Sequence, residues 1–297
     1  MLIALAVSVS VAASIFGLAH DRGDSKNWRQ IKELHYAPGH NSPSQALDLY
    51  LPQPSQVVPP PIIVFIHGGG WISGDKSEVP PEVTEHPGYA CASINYRLSN
   101  EAIYPAQLDD CKAAIRWLRA HANQYHYDGE RIGVWGMSAG GHLAALLGTT
   151  CGDKRFEGTE GDMKVSSTVQ AVCDWCGPTD LIAIVNEAGK EDKLEVHSSE
   201  GPVAKLLGGM PAEHLALAQQ ANPCLYARAE DPPFLIMHGD ADTMVPIEQS
   251  IDLYKALQAA HVRSHLITIK DGGHNFYSPE SLAIVYKFFD EELRNKR

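Results

Sequence analysis

The stretch that most constrains this chain is Arg131 to Gly148, RIGVWGMSAGGHLAALLG. Ile132, Val134 and Trp135 read as a short buried strand, and Ala139 to Leu147 read as a helix of small residues, so Gly136-Met137-Ser138-Ala139-Gly140 has to turn between them. A strand that passes into a helix through G-x-S-x-G is a nucleophile elbow. Such a turn leaves Ser138 at the strand tip in a strained conformation. The flanking positions are glycine because a Cβ there would collide with the neighbouring strand and helix. The pentapeptide alone recurs by chance; its strand and helix give it weight.

An elbow of this kind needs a parallel sheet around it, and the rest of the chain supplies one. Ile31 to Tyr36 and Ala46 to Leu51 alternate apolar residues across a Pro, Gly, Asn and Ser cluster, which predicts an antiparallel pair at a sheet edge. Pro52 to Pro61 is too rich in proline for a sheet interior. Ile62 to Ile66 is a continuous apolar run, the mark of a strand covered on both faces, and it ends in His67-Gly68-Gly69-Gly70-Trp71. Strands are further expected at Tyr89 to Asn95, Val169 to Trp175, Phe234 to Met237 and His265 to Ile269. Helices are expected at Pro105 to Asn123, Pro246 to Ala260 and Ser281 to Leu293. This alternation predicts an α/β fold with a mostly parallel central sheet of about eight strands and helices on both faces. Between Ile184 and Leu217 the periodicity fails, and the segment reads as a long, partly helical crossover near the site; a cap over the site is the competing reading.

Residues 1–19 form an apolar run with no charge from Leu2 to Phe16, followed by His20, Asp21 and Arg22. The run is short for a membrane span and fits a secretory signal peptide ending in Gly17-Leu18-Ala19, although no Lys or Arg stands near its start; an uncleaved anchor is the second reading. Residues 20–297 are then expected to be one catalytic domain in a secreted or periplasmic protein, with no stable membrane association after cleavage. A net charge of −12 argues against nucleic acid as a partner. The six cysteines, in an exported chain, predict one or two disulfides of unreadable connectivity. Cys173 and Cys176 have C-x-x-C spacing without a second such pair, so no metal or other cofactor is expected.

A serine hydroxyl is a weak nucleophile until a base takes its proton, and the base needs an acid to hold its tautomer. Both partners should lie on loops at the sheet edge that carries Ser138. The Phe234 strand ends in His238-Gly239-Asp240-Ala241-Asp242, and the His265 strand is followed by Gly272-Gly273-His274. Of the 14 histidines, His274 follows the last strand in a glycine-rich turn, whereas His142 lies inside the elbow helix and reads as packed. Asp242 reaches further towards that turn and is the favoured acid, with Asp240 as a turn residue. The N–H groups of Gly69, Gly70 and Ala139 are candidate oxyanion donors. His67 reads as a hydrogen-bonded brace of that loop. Trp71 is expected at the mouth of the site, where its face could stack on a sugar or phenolic ring, packing of the loop being the alternative.

The segments HGGGW, NYRLS with YPAQLDD, GMSAGG, DWCGPTDL, PPFLIMHGDAD and GGHNF resemble the α/β-hydrolase superfamily from about Ala46 onwards. Within it they resemble the hormone-sensitive-lipase-like carboxylesterases, and most closely the bifunctional feruloyl and acetyl-xylan esterase branch. The resemblance implies a serine carboxylesterase with Ser138 as nucleophile, His274 as base and Asp242 as acid. It also implies a structural ion pair from Arg97 to Asp109 or Asp110. Together with secretion, the resemblance implies acetyl or feruloyl esters, on small molecules or plant polysaccharide, as substrates; short acyl chains are expected because the segment Ile184 to Leu217 is polar and short for a lid over a long chain. An arylformamidase or other amidase on the same scaffold, and a binding protein that has lost its chemistry, are the rival expectations.

Overall fold

The computed structural model describes residues 27–295, apart from 38, 40, 41 and 189–191, so the apolar run at residues 1–19 lies outside it. Eight strands form one sheet: β1 Trp28–His35, β2 Ala46–Pro52, β3 Pro61–Ile66, β4 Ala90–Ile94, β5 Asp128–Met137, β6 Ala171–Trp175, β7 Phe234–Gly239 and β8 Ser264–Ile269. Their order is β1-β2-β4-β3-β5-β6-β7-β8. The β1–β2 and β2–β4 pairs are antiparallel, and every pair from β4 to β8 is parallel.

Parallel neighbours need crossover connections, and the helices provide them. They are α1 Pro81–Thr84, α2 Ala106–Tyr125, α3 Ala139–Thr149, α4 Ile184–Glu187, α5 Pro202–Leu207, α6 Leu215–Gln220, α7 Glu248–Ala259 and α8 Pro279–Phe289. The apolar run of β3 shows why both faces must be covered. Ile62, Val64 and Ile66 belong to one core with Leu108 and Ile115 of α2, Leu143 and Leu147 of α3 and Leu253 of α7. Ile63 and Phe65 belong to a second core with Trp135, Trp175 and Val285, Phe288 and Phe289 of α8. Each such side chain, fully buried, contributes about 1.5–3 kcal/mol from removal of apolar surface from water. The helix α2 stops where His126 takes φ 61° and its N–H returns to Ala122 O, a left-handed C-terminal cap.

The crossover from β6 to β7 contains α4, α5 and α6, so the segment 184–217 is a partly helical crossover. It is more apolar inside than its mixed sequence suggests. Leu194, Val196, Val203, Leu206 and Leu207 are all buried in the first core.

Arg97, just after β4, grips Asp110 of α2 through Nε and Nη2, both at 2.8 Å, and its backbone N–H donates to the same carboxylate at 2.9 Å. The partner is thus Asp110, which is wholly buried and also accepts from Gln45 Nε2 at 2.8 Å. This pair fastens the loop after β4 to the helix that leads to the elbow strand.

Candidate active site

Because β3 and β5 to β8 run in one direction, the residues that follow them line one edge of the sheet. The register sets Ile66 of β3 beside Gly136 of β5, Gly136 beside Asp174 of β6, Trp175 beside Met237 of β7, and Gly239 beside Ile269 of β8. Ser138 leaves β5 at φ 56° and ψ −122° and heads α3. A Cβ on Gly136 would collide with the Gly140 carbonyl oxygen, and one on Gly140 would collide with that of Ile66. Glycine at both positions is what lets the chain reverse from strand to helix at this radius. The strained conformation at Ser138 costs on the order of 1–3 kcal/mol and is held by that packing.

Ser138, His274 and Asp242 form one hydrogen-bonded chain. Ser138 Oγ lies 3.0 Å from His274 Nε2, and His274 Nδ1 lies 2.7 Å from Asp242 Oδ2. A carboxylate only accepts, so Nδ1 carries the hydrogen and Nε2 is free to accept from the serine hydroxyl. Asp242 Oδ1 accepts from the N–H groups of Met244 at 2.8 Å and Val245 at 3.1 Å. Burial alone would push this carboxyl up, but hydrogen bonds from His238 and His274, the charge of His274 and the Met244 N–H together hold it well below the usual carboxylate range. Asp240 does other work: it is exposed, and its Oδ1 accepts from Asp271 N at 2.6 Å.

The loop after β3 lies against the elbow. A Cβ on Gly68 would stand 3.4 Å from Ser138 Cβ and 3.1 Å from Met137 O. Gly69 and Gly70 take φ of 101° and 59°, so the loop coils back on itself, with Ile72 and Ser73 N–H both donating to Gly69 O at 3.1 Å. Ala139 is the first residue of α3, where leading N–H groups have no acceptor within the helix. His67 is a brace: its Nδ1 donates to Gly68 O at 2.8 Å and its ring stacks on Tyr96 with centroids 4.4 Å apart. Burial lowers its pKa to about 4, so it stays neutral. His142 is packed as expected, with Nε2 2.7 Å from Ala221 O and a pKa lowered to about 4 by burial.

Two expectations need correction. Trp71 is not at the mouth of the site. It is 0% exposed, edge-on to His142 with centroids 5.3 Å apart, because a run of positive φ ending in its own value of 60° turns the indole under the loop and onto α3. No stacking face is offered to a substrate. The six cysteines are all unpaired: Cys91 and Cys173 lie in β4 and β6, Cys111 in α2, Cys151 between α3 and β6, and Cys176 and Cys224 at opposite ends of the β6–β7 crossover.

Two residues were missed. His238, at the end of β7, is wholly buried and its Nε2 lies 2.9 Å from Val245 O and 3.2 Å from Asp242 Oδ2, while Nδ1 lies 2.7 Å from Ser250 Oγ. Val245 O can only accept, so Nε2 carries the hydrogen and shares it with the carboxylate. The signal was a second His-Gly dipeptide at a strand end, matching His67-Gly68. Pro202, which opens α5, would stand 3.0 Å from a Cβ on Gly70. Nothing local in the sequence joins these two positions.

The BD-FAE family profile matches residues 47–257, which covers both His-Gly strand ends and the elbow. The chain belongs to the BD-FAE family. This BD-FAE chain is 28% identical over 246 residues to the esterase LipC of Mycobacterium tuberculosis, a match covering 80% of this chain and 58% of that protein. It is 29% identical over 255 residues to the esterase LipQ of the same organism, covering 84% of this chain and 58% of that one. It thus spans little more than half the length of these curated relatives. Among solved structures it is similar to a truncated carbohydrate esterase from gut microbiota, with TM-score 0.82 and 32% identity over 91% of this chain and 98% of that chain. A bifunctional GH43-CE protein of Bacteroides eggerthii gives TM-score 0.81 and 34% identity over 89% of this chain and 35% of that chain. The fold is the α/β-hydrolase fold of these esterases.

Proposed function

We propose that this chain is a serine carboxylesterase that hydrolyses short acyl or feruloyl esters, on small alcohols or on plant polysaccharide, through an acyl-enzyme on Ser138. The observation that carries the proposal is the Ser138–His274–Asp242 chain at 3.0 and 2.7 Å beside the coiled glycine loop. Ser138 Oγ attacks the ester carbonyl as His274 Nε2 takes its proton. Asp242 holds the imidazole in the Nδ1–H tautomer and stabilises the cation that forms. The N–H groups of Gly69, Gly70 and Ala139 receive the developing oxyanion. The protonated His274 then gives its proton to the leaving alcohol, and water repeats the sequence to release the acid.

Similarity to the carbohydrate esterase from gut microbiota and to the GH43-CE protein supports an ester carried on sugar. The inward packing of Val203, Leu206 and Leu207 supports short acyl groups, because α5 keeps its apolar face in the core instead of offering a trough to a long chain. Export is part of the proposal and rests on the composition of residues 1–19; the mass of the mature N-terminus after secretion tests it.

The test of function compares kcat/KM for acetyl, butyryl, octanoyl and feruloyl esters and for an anilide matched to the acetyl ester. Acetyl and butyryl esters are expected to exceed octanoyl by about tenfold or more, a discrimination of about 1.4 kcal/mol. A preference for the anilide would make the chain an amidase, and a preference for octanoyl would make the α4–α6 segment a lid over an acyl trough.

A further inference from the structure

Cys176 takes no part in the hydrolysis above, yet its thiol lies within the site. It follows β6 at φ 44°, is wholly buried, and its N–H donates to Met237 O at 2.9 Å. Its Sγ lies 3.4 Å from His274 O. Cys176 Sγ, a carboxylate oxygen of Asp242 and a ring nitrogen of His274 all fall within 4.8 Å of one another. That is a sulfur, an oxygen and a nitrogen donor brought together from three loops.

We propose that Cys176, Asp242 and His274 form an inhibitory site for a thiophilic divalent cation, best matched by Zn²⁺, which turns off the hydrolytic chemistry by occupying the side of the imidazole that faces Asp242. The proposal rests on the Ser138–His274–Asp242 reading, because inhibition has meaning only if that chain is the engine. Zinc takes thiolate at about 2.3 Å and imidazole or carboxylate at about 2.0–2.2 Å, which puts donors roughly 3.3–3.7 Å apart around a tetrahedral ion. The three donors already lie within 4.8 Å of one another, and in the proposed site they adjust to that spacing around the ion with water in the fourth position. Magnesium and calcium, which select oxygen donors, do not suit the thiol.

The chemistry of closure balances without any redox partner. The Cys176 S–H bond breaks, its proton goes to solvent, and the sulfur electron pair forms the bond to zinc. The His274 Nδ1 hydrogen is released to solvent, Nε2 takes up one proton, and the Nδ1 lone pair binds the ion, so one proton leaves per ion bound. Asp242 then faces the metal where it faced the His274 Nδ1–H, and its Oδ1 keeps the Met244 and Val245 N–H groups. With hydrogen on Nε2, His274 has no lone pair left to accept the proton of Ser138. The same imidazole cannot serve both the metal and the serine.

The test uses the purified full chain, freed of metal, titrated with Co²⁺ as a coloured substitute for zinc. The expected result is a thiolate-to-cobalt charge-transfer band that saturates at one equivalent, is bleached by Zn²⁺ and is missing from Cys176→Ser and Cys176→Ala. In parallel, an organophosphate labels Ser138 with and without metal. Zinc at about ten times its dissociation constant should slow labelling of the wild type about tenfold, and should leave the rate ratio near one in the Cys176 variants. A wild type with no charge-transfer band overturns the proposal even if the variants fail to fold. Equal slowing in wild type and folded variants overturns it too. If organophosphate does not label Ser138 in metal-free wild type, the nucleophile reading fails instead, and the cobalt band still reports on the metal site by itself.

Discussion

Two strands of this sheet end in the same dipeptide, His67-Gly68 after β3 and His238-Gly239 in β7, and the two imidazoles are equally hidden from solvent. Their surroundings differ. His67 stacks on Tyr96 and donates to the neighbouring Gly68 carbonyl, and the ring leaves no room for a Cβ on Gly74. His238 is held by Ser250, Val245 O and Asp242. In the proposed reaction the first loop acts through backbone N–H groups, whose positions depend on shape alone, and packing supplies shape. The second acts there through a carboxylate, whose charge must be both aimed and compensated, and hydrogen bonds do that. One dipeptide thus serves two purposes, set by what the neighbouring strands bring to it.

The largest effect that could break this contrast lies in the acid loop. Asp242→Asn should lower kcat by about 10⁴, since an amide cannot hold His274 in the Nδ1–H tautomer. Asp240→Asn should cost far less, because Asp240 only accepts from the Asp271 N–H. The reverse ranking in steady-state assays would move the acid to Asp240. In the glycine loop, Gly69→Ala places a methyl group against the Ser73 carbonyl at φ 101° and must displace the loop. Loss of an oxyanion donor should lower kcat by about 10² to 10³. An unchanged kcat would remove Gly69 from the oxyanion site.

The histidines themselves sharpen the contrast. His238→Gln deletes a hydrogen bond to a charged acceptor worth about 1.5–3 kcal/mol, so kcat should fall by about ten- to a hundredfold with KM little changed. His67→Gln should instead lower the unfolding free energy by about 1–3 kcal/mol, with a smaller loss of kcat than His238→Gln. Paired denaturation and kinetic measurements on both variants decide this; a larger kcat loss at His67 would erase the distinction.

The smallest effect is in pH dependence. His67 has its pKa lowered from 6.5 to about 4 in the folded chain, so between those values the unfolded chain binds the proton and the folded chain does not. Stability should therefore decline as pH falls from about 6.5 to about 4, with a slope from this residue of at most about 1.4 kcal/mol per pH unit. His142 is lowered to about 4 as well and adds to the same window. His67→Gln should remove its share of that slope. Asp242, lowered from 3.8, gives stability that is present above that value and is lost only as pH falls below it. Urea unfolding at a series of pH values measures both, and an unaltered slope between pH 6.5 and 4 in His67→Gln would show that the ring is protonated in place.

What could be read from the sequence was whatever one stretch dictates for itself. The continuous apolar run of β3 and the alternation in β2 gave strands within a residue or two of those observed, and the small residues after Ser138 gave α3. Order along the chain was enough to bring Ser138, Asp242 and His274 to one edge as candidates, because strand direction alone controls where their loops emerge. Contacts between distant segments were not readable. Trp71 is turned inward by backbone dihedrals of the loop before it, which composition does not reveal. Pro202 reaches Gly70 through the path of an irregular crossover. His238 shares a hydrogen bond with Asp242 through a turn whose geometry is fixed by Ser250 on a following helix. Leu206 and Leu207 enter the core from a segment whose average composition is polar, since only two turns of α5 need to be apolar.

The central claim is that Ser138 carries the acyl group. The direct measurement mixes the protein with nitrophenyl acetate, quenches with acid within the first turnovers and maps acetylation by peptide mass. The account predicts one acetyl group on the peptide containing Ser138, absent from Ser138→Ala and strongly reduced in His274→Ala. Acetylation elsewhere at the same rate in Ser138→Ala, or turnover with no acyl-enzyme in wild type under conditions where release is slowed, would contradict it.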